Sequence, residues 1–314
     1  MPYAAAISGR TVLVHVLIVA LASAALCGAG AQDAPARPPL VGAEWAHVAR
    51  AGESWATVGA REGVTPAVLA ARNGRTLKSP LRPGETIVID NRHVVPDVSF
   101  APGTDGNALV INVPQRLLFL FVDGQLDAHY PVAVGAPGWQ TPTGAFEIVL
   151  NEENPTWDVP ASIQEEMRRE SKRVVTRVPP GPANPLGRYW LGLSLGSLGI
   201  HGTNAPLSIY GFATHGCVRL RPDDIEALYG QVSQGDRGRI VYEPVLVAYD
   251  GAEVYLEVHP DPYRRVPDIL QRALDLLKAA GLTEMTDREE VMDAVRRAEG
   301  LAVPVTALTR LAPR

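Results

Sequence analysis

Two histidines and one cysteine sit close together in a short stretch of this chain, as His201-Gly202-Thr203 followed by Thr214-His215-Gly216-Cys217-Val218-Arg219. The chain has 2 cysteines. Cys27 falls in a segment expected to be removed on export, which leaves Cys217 as a lone thiol with no intramolecular disulfide partner. A thiol becomes a nucleophile when a neighbouring group takes its proton or lowers its pKa. His215, two residues before Cys217, shares a face with it in an extended segment and diverges from it in a tight turn, so sequence proximity alone does not make it the base. His201 is remote in sequence but can be brought alongside by the pairing of neighbouring strands. Gly202 and Gly216 let the backbone adopt unusual torsions and approach a substrate closely. Backbone N–H groups around Gly216 and Cys217 can then stabilise a tetrahedral oxyanion. Arg219 is suited to a bidentate contact with a substrate carboxylate. The chemistry this points to is nucleophilic attack on a carbonyl.

Two other readings of the cluster are weaker. As a zinc site, His201, His215 and Cys217 supply three ligands without a compelling fourth. As core packing, glycine, histidine, cysteine and arginine at these offsets serve poorly.

The elements that must position these residues follow from the rest of the chain. With 314 residues, 46% hydrophobic content and a mean hydropathy of +0.02, one sizeable domain plus a small module is expected and global disorder is excluded. A net charge of −5 argues against a nucleic-acid partner, which calls for a basic face. Arg10, the apolar run Thr11 to Ala25 and the small-x-small site Ala29-Gly30-Ala31 read as a signal peptide over residues 1–31, cleaved after Ala31, so the mature chain is expected outside the cytoplasm, in the periplasm or cell wall. A Pro-rich linker, Ala34 to Pro39, follows.

Residues 44–90 read as strand, helix, helix, strand. Trp45 to Ala49 is the first strand, Ser54 caps a helix through Arg61, Thr65-Pro66 opens a helix that stops at Asn73-Gly74, and Thr86 to Ile89 is the closing strand. From Ala108 the pattern is that of short strands: Ala108 to Val113, Leu117 to Val122, a hairpin signal at Asp123-Gly124, Tyr130 to Val134 and Ala145 to Leu150. An all-β or β-dominated sandwich or barrel is therefore favoured over a βαβ array. Asn151 to Gly187 is a Pro-rich insertion of the kind that forms a lid or substrate wall, with Ser162 to Arg173 as one exposed helix. Asp223 to Val232 reads as a helix and Arg239 to Tyr242 as a closing strand. Residues 244–314 should form a hairpin around Asp250-Gly251 and a helical extension, its last helix opened by a Thr286-x-x-Glu289 capping box and ended at Gly300. Trp157 and Trp190 flank the insertion and the approach to His201, which makes them candidates to line the donor cleft, with core packing the alternative.

Residues His47 to Ser54, Val64-Thr65 with Leu69 and Asn73-Gly74, and Leu81 to Ile89 resemble a LysM module, which implies binding to glycan strands that contain N-acetylglucosamine. The spaced set His201-Gly202-Thr203-Asn204-Ala205-Pro206 and Thr214-His215-Gly216-Cys217-Val218-Arg219-Leu220 resembles the L,D-transpeptidase (YkuD-type) catalytic domain. The likeness extends to Asn112-Val113-Pro114, Val134-Gly135, Thr141-Pro142-Thr143-Gly144, Asn154-Pro155-Thr156-Trp157, Val159-Pro160 and Ile163, so it covers residues 108–243 and implies a mainly β sandwich there. Thr214 stands where that family usually has serine.

The resemblance implies Cys217 as nucleophile, His201 as base and then acid, and the Gly202 carbonyl as the group that orients the imidazole. It also implies that His215 and Gly216 shape the oxyanion and acyl-donor site, with Arg219, Thr214 and Trp157 on the substrate side. The implied reaction cleaves a peptidoglycan stem tetrapeptide after its third residue, through a thioester, and passes the acyl group to an amine of another stem or of a wall-anchored lipoprotein. Passing it to water instead makes an L,D-carboxypeptidase. No metal or other cofactor is implied. The competing class is a wall-binding protein without catalysis, which an intact His201 and Cys217 disfavour.

Overall fold

The computed structural model describes residues 40–96 and 106–307. The expected signal peptide, with Cys27, lies outside the described residues. Among the described residues no helix is long and apolar enough to cross a membrane.

Near the start, strand Glu44–Val48 pairs antiparallel with Thr86–Asp90, and helices Trp55–Glu62 and Pro66–Arg72 lie between them in sequence. Ser54 closes a capping box: its N–H donates to Thr57 Oγ1 at 2.7 Å, and its Oγ accepts from the Thr57 N–H at 3.2 Å. Thr65 makes no side-chain cap, and Pro66 at the first helical position starts the second helix by its fixed φ. Trp55, Val58, Leu69, Ile87 and Ile89 are buried beneath the two helices.

The main body is an eight-stranded mixed sheet. Its spatial order is 218–219, 199–201, 189–193, 144–153, 237–241, 107–112, 117–122, 125–131. Strand Leu117–Val122, with the sequence LLFLFV, is apolar on both faces because both are covered. Leu118 and Leu120 enter one cluster, and Leu117, Phe119 and Phe121 another. The first cluster draws residues from every one of the eight strands. Laid flat, such a sheet would be about 34 Å wide at the usual strand spacing, so a single shared core requires it to curl. It curls around helix Pro222–Gln231, whose Ile225 and Leu228 fill the centre. The β-rich class is as expected, with one curled sheet in place of separate layers.

Three strand assignments differ from expectation. The strand placed at Tyr130 to Val134 runs from Gln125 to Pro131 and resumes only as Val134–Gly135. Strand Gly144–Glu153 continues three residues beyond Leu150. The strand expected to close the domain, observed at Arg237–Val241, sits in the middle of the sheet, parallel to Asn107–Asn112 and antiparallel to Gly144–Glu153. Within the insertion, Trp157–Asp158 pairs with Arg177–Val178, and the helix is Ala161–Arg169, shorter than expected.

The C-terminal part is a three-stranded sheet, Val245–Tyr249, Val254–Val258 and Ala302–Pro304, packed on helices Ile269–Ala279 and Arg288–Arg297. The cap of the last helix is Asp287, which accepts from the Glu289 N–H at 2.7 Å; the Thr286 hydroxyl turns away to the Thr283 carbonyl. That helix ends at Arg297 with Ala298 left-handed, before Gly300. Glu257 of this sheet is fully buried, and its carboxylate meets His93, Gln115 and His259. These contacts join the N-terminal, central and C-terminal segments in one polar node.

Candidate active site

His201 ends strand Gly199–His201, and Cys217 immediately precedes strand Val218–Arg219. The two strands run parallel, with Ile200 beside Val218 and His201 beside Arg219. Ile200 and Val218 point into the core. Strand alternation therefore turns Cys217, His201 and Arg219 to the opposite face, where all three line one cleft of about 950 Å³. Antiparallel pairing extends the row: Trp190 stands beside His201 on one side and beside Glu152 on the other. Arg219, His201, Trp190 and Glu152 thus form a single line across four strands, and all four face the cleft.

The imidazole is held by a hydrogen bond and by an aromatic ring. His201 Nδ1–H donates to the Gly202 carbonyl at 2.7 Å, which fixes the tautomer and leaves Nε2 as the proton acceptor. The indole of Trp190 stacks on the ring, with centroids 5.9 Å apart and planes 26° from parallel. The indole fits because residue 199 has no side chain: a Cβ there would lie 2.2 Å from the Trp190 ring. Burial, helped by the Arg219 charge, pushes the His201 pKa down to about 3 against the pull of the Gly202 and Leu186 backbone, so the ring is neutral at pH 7. Burial raises the Cys217 thiol pKa, opposed by the Gly199 backbone and Arg219. The resting pair is a thiol and a neutral imidazole.

The turn before Cys217 is braced from within. Gly216 takes a φ of 111°, open to glycine and strained for other residues. Its carbonyl accepts from Thr141 Oγ1 at 2.8 Å. The Thr214 hydroxyl donates to the Cys217 carbonyl at 2.6 Å and accepts from the Gly216 N–H at 3.2 Å. Thr214 therefore spends its hydroxyl inside the turn, and its buried methyl is accommodated there. His215 points away from this brace. Its Nε2 lies 2.6 Å from Glu166 on the insertion helix, and its ring packs on Trp139 at 4.9 Å. The Glu166 contact ties the insertion to the thiol-bearing turn.

Arg219 Nη1 donates to Ser208 Oγ at 2.9 Å, while its buried Nε has no hydrogen-bond partner. Trp157, half-buried on the insertion, forms part of the opposite wall. Of the residues singled out in the sequence, Cys217, His201, His215, Arg219, Thr214 and Trp157 line the cleft; Gly202 and Gly216 act behind it. Trp190, which the sequence places beside the approach to His201, also lines the cleft. Glu152, Gly199 and Glu166 carried no local signal, because strand register and the folding-back of the insertion bring them in. Among the described residues no cluster of three His, Cys, Asp or Glu side chains is placed to hold a metal ion.

A β-rich catalytic fold with this cleft defines the class. The YkuD family, described as the L,D-transpeptidase catalytic domain, matches residues 106–247. The chain is 34% identical over 200 residues to the "Probable L,D-transpeptidase ErfK/SrfK" of Salmonella typhimurium, which covers 60% of this chain and 64% of that relative. It is 30% identical over 257 residues to the protein of the same name from Escherichia coli, which covers 77% of this chain and 82% of the relative. A crystal structure of L,D-transpeptidase 3 from Mycobacterium tuberculosis aligns at 15% identity and a TM-score of 0.36, covering 51% of this chain and 76% of that one. The chain belongs to the L,D-transpeptidase family.

Proposed function

We propose that this protein is an exported peptidoglycan L,D-transpeptidase that works through an acyl-enzyme on Cys217. The observation that carries the reading is the register of the two parallel strands, which sets the thiol and the imidazole on one face of one cleft. In the first half-reaction His201 Nε2 takes the thiol proton as sulfur attacks the carbonyl of the third stem residue. The C–N bond breaks, the imidazolium returns the proton to the departing D-alanine amine, and a thioester remains. In the second half an acceptor amine attacks the thioester, and its proton passes through His201 to the leaving sulfur. The cleaved amide conserves the energy for the new one. The half-buried Arg219 guanidinium with its unpartnered Nε is suited to an anionic group of the donor. The acceptor is an amine of a second stem or of a wall-anchored lipoprotein.

Residues 44–90 are proposed to act as a LysM module that keeps the enzyme on glycan strands. The paired strands and two intervening helices support that reading. The expected signal peptide supports a periplasmic or wall location.

The test is incubation of the purified chain with disaccharide-tetrapeptides and product analysis by mass spectrometry. A dimer linked through two third-position residues, abolished in Cys217→Ala, is the expected result. A bare tripeptide alone would replace the transferase reading with a carboxypeptidase, and unchanged substrate would overturn both.

A further inference from the structure

We propose that Glu152 forms a binding subsite for a cationic primary amine and selects such amines as acyl acceptors. This rests on the acyl-enzyme reading above and specifies its second half-reaction. Glu152 lies in register with Trp190, which lies in register with His201, so Glu152 shares the cleft face with the base, their backbones about 10 Å apart at two strand spacings. The charges along the row are split. The Arg219 guanidinium stands at the end beside Cys217, and the Glu152 carboxylate at the far end, with the indole between.

The cleft's other carboxylate and its exposed imidazole are engaged. Asp158 pairs with Arg177 at 3.2 Å, and His215 meets Glu166. Glu152 is half-buried, and its carboxylate makes no hydrogen bond or ion pair among the described residues. An uncompensated, partly desolvated carboxylate beside an aromatic face is the arrangement that attracts an ammonium group, through charge-assisted hydrogen bonding and the ring quadrupole. An amine entering from the Glu152 end, along the indole, reaches the thioester on the side where His201 can take its proton. The ammonium form is captured at Glu152; the amine that attacks has given its extra proton to that carboxylate or to water.

The test compares two acceptors on the full chain loaded with a tetrapeptide donor at pH 7. One is the ε-amine of Nα-acetyl-lysine methylamide, cationic at that pH; the other is hydroxylamine, uncharged. Protein mass reports the acyl-enzyme, and product mass reports the transfer. In Glu152→Gln the preference for the lysine amine over hydroxylamine is expected to fall about ten-fold, through KM for the amine, as loss of one charge-assisted contact implies. Glu152→Asp, which keeps the charge, should retain most of that preference. An unaltered preference in Glu152→Gln, or an equal loss toward both acceptors, overturns the proposal. If the unchanged chain forms no acyl-enzyme, the parent reading falls and takes this one with it, an outcome that the protein mass separates from the other two.

Discussion

Replacing Gly199 by alanine should disable the site without touching any reacting atom. A Cβ at 199 would lie 2.2, 2.3 and 2.6 Å from three carbons of the Trp190 six-membered ring. Carbon atoms pack at about 3.5–4.0 Å, so the indole must retreat by more than 1 Å. Any such shift disturbs the imidazole that the indole now stacks on at 5.9 Å. Overpacking of this kind costs about 1–3 kcal/mol, and a misplacement near 1 Å in a catalytic base lowers kcat by about 100-fold. The expected outcome for Gly199→Ala is a folded protein with a modestly lower Tm and about 1% of wild-type transfer. Trp190→Phe has no fused ring to collide with the new methyl, so the double variant Gly199→Ala/Trp190→Phe should be more active than Gly199→Ala alone. The assay is product formation by mass spectrometry, with thermal melts alongside. Full activity in Gly199→Ala, or a double variant worse than either single one, would show that the indole does not hold the base.

Two further outcomes follow from the titrating groups. With the thiol pushed up by burial and His201 held down to about 3, alkylation of Cys217 by iodoacetamide should be slow at pH 6–7 and climb through and beyond the ordinary thiol range. Fast reaction at pH 6 would reveal a preformed thiolate–imidazolium pair instead. Glu257 is held down to about 2, against an ordinary 4.5, by its two histidine partners in spite of burial. A depressed carboxylate stabilises above its ordinary pKa, and that stability is lost as pH falls toward the folded value. About 3 kcal/mol should therefore disappear between pH 4.5 and 2. Urea midpoints should show Glu257→Gln well below wild type at pH 6 and converging on it toward pH 2; a gap independent of pH would remove Glu257 as the cause.

The sequence made the chemistry legible where residue types are few and spacing is short. His201, Gly202 and Cys217 could be named because imidazole, glycine and thiol at those offsets have few other uses. Helix starts were legible where one residue alone could cap, as at Ser54. They were not where two capping residues adjoin, as at Thr286 and Asp287, because only the chain's path decides which hydroxyl or carboxylate faces the free N–H groups. Strand Arg237–Val241 looked like a terminal strand, since parallel pairing is specified by partners over a hundred residues away. Glu257 sits in Val254–Val258 like any polar residue of an alternating strand. Its burial is settled by His93 and Gln115, which no local window contains. Glu152 escaped for a similar reason: its place in the row depends on two successive register choices.

The buried node has a practical consequence for dissecting the molecule. Helix Trp55–Glu62 contributes Ala60 to the same apolar cluster as Ile209 and Tyr210, which lie on the loop between His201 and Cys217. Trimming the chain to 106–247, the stretch recognised by family likeness, would therefore bare Leu117, Phe119 and Tyr210 to water and strip Gln115 of its carboxylate and carbonyl acceptors. Such a fragment would be sticky and loosely held at the loop that spans the two reactive side chains. A piece suited to enzymology keeps helix Trp55–Glu62, His93 and the Glu257 strand together with the catalytic stretch.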